Sequence, residues 1–407
     1  MFWDIYTVIA VLAILSQGVF LWQSRRNYIY ALKKAARQHA DCRQRVLLTV
    51  PCKGIDNAFE ANIRSIFALD YADFIVHFVV EDTSDAAYEV LCRLKDELSA
   101  ASRAGDVSVL VAGTGAGCSQ KIHNLLYSCA NAPSDIDIFA FADSDAHLKC
   151  GWLKHLVYPL RKERYGASTG YRWFVPEKNN LASLAMSAIN AKIAQMPGNT
   201  NFNQLWGGSM AVRAETFRKI NLESIWKRAI SDDLSLSYAI KKAGMKIIFA
   251  PGCMVASYEK TTWAGLFEFA RRQFVITRVT IPRTWWFGMF CIAYSLFGVW
   301  ATSAVAIYAA VLNRDTLGLY AFVPVMFITG QIYRAVIRQK MIKQLLPEDA
   351  AKMKPAAIAD IAGTFIWSWV MFVFILSSGF GHTITWRGVR YKLLGPTETI
   401  VMSNKDR

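Results

Sequence analysis

Two carboxylates one residue apart, Asp143 and Asp145, follow a short apolar run at residues 136–142. The run has the length and composition of a buried strand. Two carboxylates at one strand end repel each other unless a cation lies between them. A hard divalent ion, shared with a substrate diphosphate, is one candidate for that cation. An acidic turn that caps the next helix is the alternative for this pattern taken alone.

Two further polar groups occupy places where an α/β protein binds phosphate or nucleotide. Asp82 follows another strand-like run, and Lys121 begins a helical segment directly after the glycine-rich residues 113–117. A helix start of this kind is suited to a phosphate contact. The alternatives are a turn residue for Asp82 and a solvated side chain for Lys121. No GxxxxGK[ST] pattern is present, which disfavours a P-loop kinase or ATPase.

The second half of the same region carries a glycine pair and an acidic pair. Gly207 and Gly208 allow a close approach of the backbone to a ligand or to another strand, or they form an ordinary bulge. Ser231 is a candidate N-cap, with Asp232 and Asp233 in the first helical turn behind it. These carboxylates either stabilise the helix end or supply a general base.

Arginines lie beside aromatic and aliphatic residues at positions 269–278, just before an apolar stretch. One interpretation is that their stems snorkel at a membrane surface. The other is that one of them clamps a diphosphate, because a guanidinium matches phosphate geometry. Both interpretations remain open from the residue types alone.

Alternating strand-like and helix-like segments predict that an α/β domain positions these groups. Acidic residues recur where successive strands end, which is the edge at which open α/β sheets bind ligands. The segments are predicted strands at 46–50, 75–80 and 107–112, and predicted helices at 57–69, 86–101 and 120–129.

Composition indicates a membrane-attached protein. Of the 407 residues, 54% are hydrophobic, and the mean hydropathy is +0.22. A formal net charge of +15 fits contact with anionic lipid or with phosphorylated ligands. Nucleic acid is a poorer explanation, since no recognisable binding module accompanies the charge. The eight cysteines include no CxxC pair and are typical of reduced thiols in a cytosolic compartment.

Apolar segments at both ends of the chain predict membrane helices. The segment 5–22 is followed by basic residues, which predicts that the next domain lies in the cytoplasm. We expect the membrane to be a bacterial inner membrane. The segments 286–312 and 317–333 are expected to form a membrane hairpin whose basic end lies in the cytoplasm. The segment 358–380 is expected either to span the membrane or to form a re-entrant segment. The expected domains are a membrane helix (1–24), a basic linker (25–44), the α/β domain (45–282), membrane segments (283–380) and a tail (381–407).

Six motifs in this order resemble the family 2 glycosyltransferases of GT-A fold, and most of all their ceramide glucosyltransferase branch, which includes bacterial hopanoid-associated enzymes. The motifs are PCKG (51–54), NIRSIFALDY (62–71), VVEDTSDAA (79–87), QKIHNL (120–125), ADSDAHL (142–148) and SDDLSLSYAIKKAG (231–244). The resemblance implies a GT-A domain with a mixed, mostly parallel sheet. It also implies a UDP-sugar donor, a membrane-lipid acceptor such as ceramide, and Mg²⁺ or Mn²⁺.

The resemblance also assigns roles to single residues. It implies that Asp233 is the catalytic base and that Asp143 and Asp145 bind the metal ion. The implied donor-binding residues are Pro51, Lys53, Asp82, Lys121, Asp143, Arg272, Gln273 and Arg278, and the implied acceptor-binding residues are Trp206, Gly207, Gly208 and Asp232. The chain departs from the Gln/Arg-x-x-Arg-Trp signature, with Gln273-Phe274 where Arg-Trp is expected. This leaves open which arginine binds the diphosphate.

The implied reaction transfers a hexose with inversion to give a β-glycoside. One alternative is a processive polysaccharide synthase, which uses the same carboxylates but needs more membrane segments for a channel. Another is a scaffold or transporter, which needs no acidic site and would mark its path with intramembrane ionisable residues.

Overall fold

The computed structural model describes residues 1–40, 42–56, 58–386 and 388–402. The chain begins with a long helix, α1 (Phe2–Ala35), whose last turn carries the basic residues Lys33 and Lys34. The α/β domain follows, and the second group of apolar helices comes after it. Asn57, the first residue of a predicted helix, lies outside the described residues.

A seven-stranded mixed sheet forms the centre of the α/β domain. Its strand order is β3-β2-β1-β4-β6-β5-β7. Among these described strands only β6 runs against the others, since it pairs antiparallel with both β4 and β5. The strands are β1 (Val46–Pro51), β2 (Phe74–Val80), β3 (Asp106–Val111), β4 (Ile138–Ala142), β5 (Tyr165–Pro176), β6 (Ser209–Arg213) and β7 (Lys246–Glu259).

Helices cover both faces of this sheet. On β1, Leu48 packs into one hydrophobic cluster and Leu47 into another, which explains why the strand is apolar without alternation. The helices are α2 (Phe59–Phe67), α3 (Ala86–Leu98), α4 (Gln120–Ala130), α5 (Trp152–Val157), α6 (Leu181–Ala194), α7 (Ala214–Lys219), α8 (Leu222–Trp226) and α9 (Asp232–Lys242).

Side-chain caps begin the helices that border the candidate site. Asp85 accepts a hydrogen bond from the Ala87 amide at α3, and Ser119 accepts one from the Ile122 amide at α4. Ser231 accepts one from the Leu234 amide at α9, which confirms it as an N-cap. The caps fix where each helix starts relative to the strand before it.

The element boundaries differ from the sequence predictions by a few residues. The strand expected from 136 begins at Ile138, because the Asp137 carboxylate instead accepts a hydrogen bond from the Arg45 amide. The helix expected to reach 101 ends at Leu98 and continues as one 3₁₀ turn, Ser99–Ala101.

Among the described residues, three helices are long and apolar enough to cross a membrane: α1, α11 (Pro282–Val311) and α12 (Leu317–Leu345). Helix α10 (Trp263–Thr280) joins the α/β domain to α11. The last apolar segment is a bent pair, α13 (Lys354–Ala362) and α14 (Thr364–Ser377), at 83° to each other. The bend fits either a broken span or the re-entrant segment that the sequence left open.

A small antiparallel sheet follows α14, where sequence analysis assigned only a tail. Its strands are β8 (Thr383–Trp386), β9 (Val389–Gly395) and β10 (Glu398–Met402), in the order β10-β9-β8. Ile384, Tyr391 and Leu393 are buried in one cluster with Val275 and Ile276 of α10. Arg387 and residues 403–407 lie outside the described residues.

Candidate functional site

The candidate site lies where β4 ends and β6 begins. Asp143 and Asp145 follow β4, and the Asp143 amide donates to the Gly208 carbonyl at 3.4 Å. His147 forms an antiparallel bridge with Ala256, so the loop that carries both carboxylates runs beside β7. The predicted placement of Asp143 and Asp145 at a strand's carboxyl end is confirmed.

Lys121, in the first turn of α4, lies between two carboxylates. Its Nζ atom is 2.7 Å from Asp143 Oδ1 and 3.1 Å from Asp232 Oδ2. Burial acts to lower the pKa of Lys121, but the charges of Asp143 and Asp232 outweigh it and raise that pKa. Lys121 therefore stays protonated, and its ion pairs link the loop after β4 to the start of α9.

The glycine pair before β6 is required by this arrangement. A Cβ atom on Gly207 would lie 2.3 Å from Asp232 Oδ2 and 2.8 Å from Lys121 Nζ. One on Gly208 would lie 2.3 Å from the Trp206 ring and 2.6 Å from Asp143 Oδ2. Of the two interpretations of this pair, the structure therefore supports a close approach, and the groups that approach are side chains of the site.

Asp232 and Asp233 have different surroundings, although they are neighbours in sequence. The Asp232 side chain is 6% exposed, and burial raises its pKa to about 6, with Lys121 opposing the shift and Asp233 and Asp143 adding to it. Asp233 is half-buried and accepts hydrogen bonds from the Gly207 amide at 3.0 Å, the Leu234 amide at 2.7 Å and the Ser231 hydroxyl. These three donors fix the direction of its carboxylate.

Asp145 is the carboxylate best suited to a metal ion. Its Oδ1 atom is buried and has no hydrogen-bond partner among the described residues. Burial raises the pKa of Asp145, Asp143 raises it further, and Arg172 and Lys121 oppose the shift. No group of three or more His, Cys, Asp or Glu side chains in the described part of the chain could hold an ion. The donor set fits Mg²⁺ or Mn²⁺ held by one or two carboxylates together with substrate phosphates.

The family follows from comparison with known proteins. Residues 5–398 match the model described as glycosyl transferase family 21. The chain belongs to glycosyl transferase family 21. It is therefore a glycosyltransferase that acts on a lipid-type acceptor, and the expected mixed, mostly parallel GT-A type of α/β fold is confirmed. The motif resemblance correctly predicted a glycosyltransferase, but the family that matches is family 21 and not family 2.

Among solved structures, the chain is similar to a mannosyltransferase, PcManGT from Pyrobaculum calidifontis, in complex with GDP-Man and Mn²⁺. The two are 14% identical, with a TM-score of 0.41. The similarity covers 92% of this chain and 97% of the other.

In this family 21 chain, the residues predicted for the nucleotide lie at the ends of β1 and β2. Pro51 ends β1, and Lys53 forms an ion pair with Glu81 at 2.8 Å. Asp82 is exposed, and the Ser84 amide donates to its carboxylate at 2.7 Å, which lowers the pKa of Asp82. Their contact with a nucleotide stays a prediction, as does contact of Lys121 with the donor.

The arginines of α10 contact the segment after α14. Arg271 donates to the Phe380 carbonyl at 3.0 Å, and Arg278 donates to the Gly381 carbonyl. The Arg272 guanidinium lies 5.5 Å from the Phe269 ring, and the exposed Gln273 accepts a hydrogen bond from Thr277 through its carbonyl. None of these contacts reaches Asp143, Asp145, Asp232 or Asp233.

Sequence reasoning missed Arg172 of β5. Its guanidinium carbon lies 4.5 Å from the centroid of the Phe174 ring, 5.4 Å from that of Phe269 and 5.6 Å from that of Trp206. A charged residue within the long strand-like run 165–176 was the available signal. The second missed group is Glu259 at the end of β7; burial raises its pKa to about 7, Asp145 adds to the shift and Arg172 opposes it.

Proposed function

We propose that the protein transfers a hexose from a UDP-sugar to a hydroxyl group of a membrane lipid such as ceramide, with inversion, to form a β-glycoside. The observation that carries the proposal is the meeting of Asp143, Asp232 and Asp233 around Lys121 and Gly207. Family 21 membership supports the same class of reaction. The acidic groups lie at the sheet edge at which α/β proteins bind nucleotides.

The base in the proposed reaction is Asp233. It takes the proton of the acceptor hydroxyl while that oxygen forms a bond to the anomeric carbon from the face opposite the leaving group. The bond between the anomeric carbon and the diphosphate oxygen breaks, and UDP leaves with the electron pair. Asp233 is suited to this because it is half-buried, whereas Asp232 is almost fully buried and paired with Lys121.

The residues around the base position the donor. Asp143 and Asp145 would hold Mg²⁺ or Mn²⁺, which would stabilise the charge that develops on the leaving diphosphate. Asp82, Pro51 and Lys53 bind the nucleotide in this proposal, at the neighbouring strand ends.

The acceptor enters from the membrane side of the site. Trp206 and the glycine pair after it lie next to Asp233, because the Gly207 amide donates to that carboxylate, and α10 connects the α/β domain to the apolar helices. Trp263, Phe267 and Trp286 are exposed on α10 and α11, as expected of aromatic side chains at a membrane interface. We place the α/β domain in the cytoplasm because basic residues follow the apolar part of α1.

The test is transfer from labelled UDP-hexoses to ceramide and other hydroxylated lipids in reconstituted membranes. The wild type should form a β-linked glycolipid, and Asp233→Asn should lose turnover by about 10²–10⁴-fold with donor affinity retained. Asp96→Asn, on the exposed side of α3, is the matched control and should keep full activity. Full turnover by Asp233→Asn, or an α-linked product, would contradict the proposal.

A further inference from the structure

We propose that Arg172 binds the diphosphate of the nucleotide-sugar donor, in a role that the sequence assigned to an arginine of α10. The inference rests on the proposed function, because it takes the donor to be a nucleoside diphosphate sugar. It adds a residue on β5 to a site whose predicted members lie at the ends of β1, β2 and β4 and on α4 and α10.

The first reason is that the N–H donors of the Arg172 guanidinium are not used within the described part of the chain. Among the described residues, its side chain forms no ion pair and donates no hydrogen bond, and its contacts are with the faces of Phe174, Trp206 and Phe269. Aromatic faces hold a guanidinium in place and leave its N–H donors at the edge of the plane. Five such donors suit bidentate contact with phosphate oxygens.

The second reason is the position of Arg172 beside the acidic site. The Trp206 ring that it contacts lies against Gly208, and a Cβ atom on Gly208 would meet both that ring and Asp143 Oδ2. Arg172 and Asp143 therefore both lie close to the Trp206–Gly208 segment. The charge of Arg172 also interacts with the carboxylate of Asp145. A diphosphate bound at Asp143 and Asp145 would lie within the reach of this guanidinium.

The third reason is that two of the α10 arginines are engaged elsewhere. Arg271 and Arg278 donate to backbone carbonyls of Phe380 and Gly381, where they join α10 to the segment before β8. A leaving diphosphate carries negative charge that needs cationic stabilisation in addition to a metal ion. Arg172 can supply it without breaking either of those contacts.

The experiment compares the binding of UDP, UMP and uridine to the full-length protein in detergent, by titration calorimetry with Mn²⁺ present. Arg172→Gln should weaken UDP binding by about 10- to 100-fold, since hydrogen bonds to charged groups are stronger than neutral ones. Its uridine affinity should equal that of the wild type. Arg172→Lys, which keeps the charge and much of the stem, should give a smaller loss confined to UDP and guards against misfolding of the Gln variant.

Arg271→Gln is the matched control, and its UDP affinity should be unchanged. Equal losses for UDP, UMP and uridine in both Arg172 variants would mean that Arg172 only packs the site, and would overturn the proposal. Unchanged UDP affinity in those variants would overturn it as well, most clearly if Arg272→Gln or Arg278→Gln lost it instead.

The donor assignment is tested separately in the same titration with GDP, CDP and ADP. If the wild type prefers another diphosphate to UDP, the proposed UDP-sugar donor is wrong, and the Arg172 variants are then compared on the preferred nucleotide. If the wild type binds none of the four diphosphates, both proposals fail.

Discussion

Replacing Lys121 by methionine removes the charge that lies between Asp143 and Asp232 and keeps a side chain of similar length. The ammonium is 2.7 Å from one carboxylate and 3.1 Å from the other. In the variant, two carboxylates that both approach the same glycine pair would face each other without a counter-charge. We therefore expect a lower free energy of unfolding for Lys121→Met.

The size of the effect follows from how much of each group solvent reaches. Removing one partner of a fully buried ion pair costs about 3–5 kcal/mol. The exposed fractions here are 18% for Lys121, 22% for Asp143 and 6% for Asp232, so solvent screens part of the interaction. We expect Lys121→Met to lower the free energy of unfolding by about 2–3 kcal/mol.

A double-mutant cycle separates this charge effect from lost packing. Lys121→Met, Asp232→Asn and the double variant are unfolded by denaturant in detergent, followed by tryptophan fluorescence. Because the neutral amide introduced by Asp232→Asn needs no counter-charge, the double variant should be more stable than additivity predicts, by about 1–2 kcal/mol. Lys227→Met is the control, since the Lys227–Glu223 pair is 62% and 58% exposed and should contribute little. Additive single effects, or a loss as small as that of Lys227→Met, would refute the reasoning.

Three other predictions concern the glycine pair, the metal ion and the membrane topology. Gly207→Ala should lower turnover by about 100-fold, because the new Cβ atom would lie 2.3 Å from the buried Oδ2 atom of Asp232. Gly18→Ala is the control: its Cβ atom would meet nothing within 4 Å, and turnover should be unchanged. Asp145→Asn should abolish the Mn²⁺-dependent gain in UDP affinity seen by calorimetry, and a gain equal to that of the wild type would contradict it. Cysteines introduced at Asp85 and Lys343 should resist labelling from outside intact cells, and efficient labelling would invert the topology.

The strands and the acidic loop could be predicted from the sequence because local chemistry determines them. Val46–Pro51 and Ile138–Ala142 are buried on both faces, so each is an apolar run, interrupted only by the buried Thr49 in the first. Ser231 could be recognised as an N-cap because a cap needs only a short polar side chain before a helix. The position of Asp143 followed from the rule that ligand-binding groups in such sheets lie at strand ends.

The contacts among these elements could not be predicted, since they join segments far apart in the chain. Nothing local to Lys121 indicates that Asp232, more than one hundred residues later, lies 3.1 Å from its ammonium. Arg172 was missed because its neighbours Trp206 and Phe269 come together only in the folded chain. Strands β8–β10 are short and partly exposed, and they are ordered by packing against α10 more than by their own pattern.

The different roles that we propose for Asp232 and Asp233 follow from these contacts. Burial raises the pKa of Asp232 to about 6, which is close to the value that suits a general base. However, the Asp232 side chain is 6% exposed and faces Lys121, so an acceptor hydroxyl would have to displace the ammonium to reach it. The three donors to Asp233 fix the direction of its carboxylate, which is also the more exposed of the two. Asp232→Asn should therefore disturb the site more than the loss of a helix cap would, since Ser231 already supplies the cap and Asp232 instead holds Lys121 in place.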